Sequence, residues 1–211
     1  MIPPEVVVVG ASQGGLQALQ RFLSAMPADF PLPVVTAQHR QVESEERLVS
    51  LLQQHTKLRV REAEDKGELA ARTVYLAPTD YHLLLEPGGL ALSTEAPVCF
   101  ARPSIDVLFE STAASFGAAA AALVLTGASV DGAAGAAAIG RAGGVVLVQD
   151  PGTSANSVMP VAAIAATPSA QVLPLQDMAH RLVALSQSRV RSLPSDASLT
   201  AGEERPPLDG R

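Results

Sequence analysis

The run Val6-Val7-Val8-Val9 leading into Gly10-Ala11-Ser12-Gln13-Gly14-Gly15 constrains the fold more than any other stretch. Consecutive β-branched residues with no polar alternation suit a strand buried on both faces, the condition of a parallel sheet covered by helices. Glycines then supply a tight turn, after which Leu16, Leu19, Phe22 and Leu23 recur at helical spacing up to Met26-Pro27. The segment therefore reads as strand, turn and helix. Its turn admits two chemistries. Gly10-Ala11-Ser12-Gln13-Gly14 fits G-x-S-x-G, the elbow that holds a nucleophilic serine exposed at a sheet edge. The same residues differ from the dinucleotide fingerprint G-x-G-x-x-G only in carrying Ser12 where the second glycine would stand.

The rest of the chain alternates in the same way. Strands are expected at Pro33 to His39, Leu58 to Arg61, Thr73 to Ala77, His82 to Leu85, Leu123 to Thr126 and Val145 to Val148. Pro87-Gly88-Gly89 reverses the chain into Leu90-Ala91-Leu92 as an antiparallel hairpin. Helices are expected at Glu45 to His55, after Ser104 as N-cap, at Ala133 to Arg141 and at about Leu175 to Leu185. Alternation of this kind predicts an α/β fold: a doubly wound, mostly parallel sheet with helices on both faces and a small antiparallel hairpin. Residues 1–185 form the expected domain, and the Ser-, Pro- and charge-rich residues 186–211 are expected to be a disordered tail.

Composition narrows the function classes. With 21 Asp and Glu against 15 Lys and Arg, the formal charge of −6 argues against a nucleic-acid partner or bulk anionic lipid. Cys99 is the sole cysteine, so no internal disulfide can form, and a reducing compartment is favoured. No run of about 18 apolar residues is present to span a membrane, and no basic leader precedes the first strand. These features predict a cytoplasmic location.

In an open α/β sheet, chemistry collects beyond the carboxyl ends of the strands. Ser12 follows the first strand, His39 closes the second, and Asp131 lies in the loop Gly127-Ala128-Ser129-Val130-Asp131-Gly132. A serine, a histidine and a carboxylate are the parts of a nucleophile, base and orienter set. Their order differs from the Ser, Asp, His order of α/β-hydrolases, which places them in another family. Asp80 and Asp150 also follow strands and compete with Asp131. His55, His82 and His180 have weaker positions than His39. The dinucleotide reading expects an acidic residue about 20 residues on, to hold a ribose, and this chain has His39 there. Cys99, between Pro97-Val98 and Phe100-Ala101, is expected to be an inert packed thiol, while Ser104 and Asp106 are expected to serve the start of a helix.

Six blocks occur in one order: Gly10-Ala11-Ser12-Gln13-Gly14-Gly15, Gln38-His39, Tyr75-Leu76-Ala77-Pro78, Arg102-Pro103-Ser104-Ile105-Asp106-Val107-Leu108-Phe109, Leu125-Thr126-Gly127 through Asp131-Gly132-Ala133, and Met159-Pro160. Together they resemble the catalytic domain of the chemotaxis protein-glutamate methylesterase family (CheB type) over roughly Glu5 to Leu185. The resemblance implies hydrolysis of glutamate γ-methyl esters on chemoreceptors, with deamidation of receptor glutamines as an associated activity. It carries the nucleophile onto Ser12, the general base onto His39 and the orienting acid onto Asp131. The backbone N–H of Gln13 is the expected oxyanion donor. No metal and no organic cofactor is expected.

The chain departs from the family pattern at two site positions. Gln13 stands where a threonine or alanine is common, placing a longer polar side chain at the mouth of the site. Ala128 stands where a methionine is common. Two-domain members also carry a receiver module of on the order of 100 residues ahead of the esterase, whereas Met1-Ile2-Pro3-Pro4 alone precede the first strand here. A free-standing esterase is therefore expected, constitutively active or regulated by a separate partner. The alternative expectation is a catalytically weak or silent interaction module of a chemosensory system.

Overall fold

Every residue of the first strand, β1 (Val6–Ala11), is buried, as a central strand covered on both faces must be. A computed structural model of the chain describes residues 2–39 and 45–190. The remaining elements are α1 (Gly15–Ser24), β2 (Val34–Gln38), α2 (Glu45–Gln53), β3 (Arg59–Glu62), β4 (Thr73–Leu76), β5 (His82–Glu86), β6 (Gly89–Ser93), α3 (Ile105–Phe116), β7 (Ala120–Val124), α4 (Ala133–Arg141), β8 (Val145–Gln149), α5 (Val158–Ala166), β9 (Gln171–Leu173) and α6 (Leu175–Val190). Seven strands form one parallel sheet in the order β3-β4-β2-β1-β7-β8-β9, and β5 and β6 pair as a separate antiparallel hairpin. The fold is α/β and doubly wound.

Alternation along β1 divides the core. Val7, Val9 and Ala11 pack with Leu19, Phe22, Leu52 and Leu182, from the α1, α2 and α6 side. Val6 and Val8 pack with Leu85, Phe109, Ile139 and Ala163, from the hairpin, α3, α4 and α5 side. Each fully buried Val or Leu contributes about 1.5–3 kcal/mol relative to an exposed one, so both layers hold the sheet rigid beneath the loops at its carboxyl edge. The chain runs from β1 to the β2 side and returns on the other side as β7, making the β1–β7 boundary the point where winding direction reverses.

Several boundaries differ from the expected ones. The strand expected at Leu123 to Thr126 begins earlier, at Ala120, and ends at Val124. Alanines that favour a helix in isolation are held here between β1 and β8, where their small side chains let both helical layers approach the sheet. Helix α5 and strand β9 were not anticipated; Pro160 lies in the first turn of α5, where its missing N–H costs no helical hydrogen bond. Helix α6 continues to Val190, past the expected boundary at residue 185. The rest of the expected tail lies outside the described residues, as does Arg40 after the second strand.

One contact brings α3 to the sheet edge. Ile105, its first residue, is fully buried against two glycines. A Cβ on Gly10 would stand 2.4 Å from Ile105 Cγ2, and one on Gly132, at φ +95°, would stand 2.7 Å from it. Gly10→Ala should therefore destabilise the protein by about 1–3 kcal/mol through overpacking. In a urea-denaturation double-mutant cycle the cost should be non-additive with that of Ile105→Ala, which removes the opposing methyl. Strictly additive costs would refute the wedge.

Candidate active site

Ser12 and His39 are brought together by strand register. Ala11 pairs with Gln38 in the parallel ladder, so the next residue on each strand stands one step beyond the sheet. Neighbouring strands lie about 4.8 Å apart, which sets the scale of the separation between the two backbones. Three bonds fix these ends: Ser12 N–H donates to Thr126 O (3.0 Å), Gly15 N–H to Ser12 O (2.8 Å), and His39 N–H to Ala11 O (3.0 Å). The Gln38 side chain ties the two ends together, since Nε2 lies 2.9 Å from Ser12 O and 3.1 Å from His39 O. Gly14, in the left-handed region at φ 77°, turns the chain from Ser12 into α1.

Asp131 reaches the pair from the loop after β7. His39 Nε2 lies 2.7 Å from Asp131 Oδ2, with Asp131 fully buried and His39 15% exposed. The carboxylate also accepts from Ser104 Oγ–H (2.8 Å) and from the N–H groups of Ile105 (2.7 Å) and Asp106 (3.0 Å). Burial alone would push this carboxyl up; the bonds from His39, the Asp106 and Ile105 amides and Ser104 outweigh it and hold the group below its ordinary value. It also stands at the N-terminus of α3, where a negative charge is favoured. An ionised carboxylate is an acceptor only, so the network assigns the imidazole proton to Nε2 and leaves the Nδ1 lone pair with no donor among the described residues. Among the described residues, the Ser12 hydroxyl makes no hydrogen bond. Catalytic hydrogen bonds are often long in a ligand-free site.

The surroundings of Ser12 are close. A Cβ on Gly127 would lie 2.6 Å from Met159 Cε and 2.8 Å from Ser12 Cβ, so only glycine leaves room there. The Thr126 hydroxyl lies within hydrogen-bonding distance of Gln13 O (3.0 Å) and Asn156 O (3.1 Å), and it accepts from Asn156 N–H (2.9 Å). Gln13 is exposed, and its Oε1 accepts from Asn156 Nδ2 at 2.9 Å. The side chain that departs from the family pattern is thus anchored sideways on Asn156. Ala128, the second departure, is exposed in the loop before Asp131.

Competing residues have other partners. Asp80 accepts from Arg102 Nη2 (2.6 Å) and Nε (3.1 Å), and Asp150 accepts from Gly152 N–H (2.8 Å). His55, in the turn just after α2, contacts Leu51 O of that helix, and His180 is exposed on α6. His82 is buried; its Nε2 faces Ala96 O at 3.1 Å and its Nδ1 accepts from Ser104 N–H at 3.1 Å, so it holds the residue that in turn bonds Asp131. Position at the start of a hairpin strand gave no sign of that role. Ser104 does cap α3, accepting from Val107 N–H, but its proton goes to Asp131.

Cys99 corrects an expectation: it is exposed rather than packed. Cys99 and Phe100, at φ 50° and 61°, form the two-residue turn of a small hairpin closed by Val98 N–H to Ala101 O (3.1 Å) and Ala101 N–H to Val98 O (2.9 Å). Such a turn usually carries Asn or Gly, so its apolar sequence disguised it. The turn lines a cleft of about 260 Å³ with His39, Arg102, Pro103 and Ser129. Burial, then the charges of Asp131 and Asp106, push the Cys99 thiol up, which keeps it protonated and a poor nucleophile. Its sulfur and the carboxyls of Asp106 and Asp131 lie within 4.8 Å of one another. A protonated thiol and a carboxylate already committed to four donors make a weak metal-binding set.

Residues 7–182 match the family model for CheB methylesterase. A Leptospira interrogans protein, provisionally named protein-glutamate methylesterase/protein-glutamine glutaminase, is 37% identical over 187 residues, covering 88% of this chain and 97% of that one. A Myxococcus xanthus protein-glutamate methylesterase/protein-glutamine glutaminase is 44% identical over 177 residues, covering 82% of this chain and 51% of that one. The crystal structure of the Thermotoga maritima CheB methylesterase catalytic domain superimposes with a TM-score of 0.82 at 30% identity, covering 87% of this chain and all of that one. With most of its length matched by the family model and its parallel sheet and hairpin superimposing on that catalytic domain, the chain belongs to the CheB methylesterase family.

Proposed function

We propose that the protein is a serine hydrolase that removes methyl groups from glutamate γ-methyl esters of chemoreceptors or related chemosensory proteins in the cytoplasm. The observation that carries this reading is the His39–Asp131 hydrogen bond, formed one ladder step from Ser12. Ser12 Oγ attacks the ester carbonyl while His39 Nδ1 takes its proton. The imidazolium then returns that proton to the departing methoxide, releasing methanol and leaving an acyl enzyme. Asp131 holds the ring and stabilises its positive charge. Water, deprotonated by His39, cleaves the acyl enzyme to the free glutamate. A glutamine amide enters the same sequence with ammonia as leaving group, which accounts for an associated deamidation.

The oxyanion formed at each stage needs a donor near Ser12. The Gln13 N–H meets that need, because it follows the nucleophile at the mouth of α1 and makes no hydrogen bond among the described residues. Loss of one such donor costs about 3–4 kcal/mol of barrier. Every step moves a proton or an acyl group, and these side chains carry both.

The rim suits a protein substrate. Phe100 is fully exposed at the tip of its turn, while Val130 beside Asp131 and Val158 at the start of α5 are exposed at 57% and 45%. Together they offer apolar contacts to a receptor helix whose modified glutamate enters the site. Among the described residues, no helix is long and apolar enough to cross a membrane.

Methanol release from a methylated receptor fragment should fall at least about a thousandfold in Ser12→Ala, with Asp131→Asn also losing orders of magnitude. A rate unchanged in Ser12→Ala would remove that residue from the mechanism. A fluorophosphonate should label Ser12 in the wild-type protein, and failure to label would favour the silent interaction module instead. Phe100→Ala should raise KM for the receptor fragment by about tenfold, from the lost apolar contact, while leaving hydrolysis of a small aryl acetate unchanged. Equal losses on both substrates would rule out a docking role for Phe100.

A further inference from the structure

Asp106 is used by none of the steps above, yet it is buried beside the acid that is, being only 7% exposed. It sits in the first turn of α3, but it does not cap its own helix. Its Oδ1 accepts from Gly132 N–H at 2.9 Å and from Gly135 N–H at 2.8 Å, at the beginning of α4. In return Asp131, the residue before Gly132, accepts from the Ile105 and Asp106 N–H groups at the beginning of α3. Each helix start is thus closed by a carboxylate from the other segment. The packing that makes this exchange possible is tight: a Cβ on Gly135 would stand 2.4 Å from Phe109 Cβ and 3.0 Å from Asp106 O. Small residues along α4 let its first turn lie directly on α3.

We propose that Asp106 is a positioning residue of the hydrolytic centre, fixing through Gly132 and Gly135 the backbone that carries Asp131 and hence the His39–Asp131 hydrogen bond. The inference rests on the reading of Ser12, His39 and Asp131 as the reacting set. Within its own turn the Asp131 backbone has a weaker tie, its N–H donating to Ser129 Oγ at 3.1 Å. Without the Asp106 acceptor, two buried N–H groups next to Asp131 lose their partner, and the loop gains freedom to rotate the carboxylate away from the imidazole. The part that matters is the acceptor oxygen in place, because that is what the two amides meet. The charge is not favoured there: burial pushes the Asp106 carboxyl up to about 6, against the bonds from Gly135 and Gly132 and with the help of Asp131 and Glu110.

Asp106→Ala and Asp106→Asn separate these contributions, since the asparagine amide oxygen can accept the same two bonds. The readouts are the low-field proton resonance of His39 Nε2–H, assigned by its loss in His39→Gln, and the steady-state hydrolysis of p-nitrophenyl acetate. Asp106→Ala should shift or broaden the resonance and lower kcat about 10- to 100-fold with KM within about twofold, whereas Asp106→Asn should keep the resonance in place and kcat within about threefold of wild type. A wild-type resonance and kcat in folded Asp106→Ala would overturn the proposal, and so would an Asp106→Asn protein as impaired as Asp106→Ala. If Asp106→Ala does not fold, Asp106→Asn alone decides, by keeping or losing the resonance. Neither readout uses a receptor: a normal resonance with no methanol release from a receptor ester would sink the methylesterase reading and leave this one standing.

Discussion

The site depends on one buried carboxylate. Asp131 has no contact with solvent, and four donors converge on it from three places: the imidazole at the end of β2, the Ser104 hydroxyl before α3, and two amides in the first turn of α3. An isolated carboxylate at such a depth would protonate, because desolvation disfavours the charged form. Here the donors reverse that preference, and the resulting charge fixes the proton on His39 Nε2. Which imidazole nitrogen carries the proton is therefore decided beyond the sheet, by how α3 is placed.

Placing α3 is in turn what several small residues accomplish. Gly10 and Gly132 admit Ile105, and Gly135 admits Phe109, so the N-terminus of the helix can point its free amides into the centre of the sheet edge. The glycine that makes the opening turn look like a phosphate loop is needed for this contact. Gly14 is different, since its positive φ turns the chain into α1 and its face meets Ala155. Two glycines within one motif thus answer to two unrelated constraints, which is why the motif alone admits two chemistries.

The sequence was readable where local pattern and tertiary role coincide. The β-branched run of β1 and the helical spacing after it point to the same structure, and Ser12, His39 and Asp131 follow strands and lie where strand ends converge. Residues whose role is carried by a distant partner were opaque. Asp106 looks like a helix-start acid and caps a different helix; His82 looks peripheral and supports Ser104 from 22 residues away. Cys99 was misread because a Cys-Phe pair carries no turn signature, so only the backbone reveals that it projects outward. The alanines of β7 hide their strand for a related reason: their preference is outvoted by neighbours on both sides.

Asp131 and Asp106 form a divided pair, and the division explains how both can be tolerated. Two carboxylates in contact through one turn of backbone repel, so one must dominate the available donors. Asp131 takes four and is held low; Asp106 takes two on a single oxygen and is pushed up to about 6. Their linkage to folding has opposite signs. Asp131 contributes stability above its unfolded value, lost as pH falls through its lowered folded one, whereas Asp106 favours the fold when protonated and loses that contribution as pH rises through about 6. Near neutral pH the protein thus keeps Asp106 ionised at a cost to stability. A neutral acceptor such as asparagine would meet the same two amides without that cost.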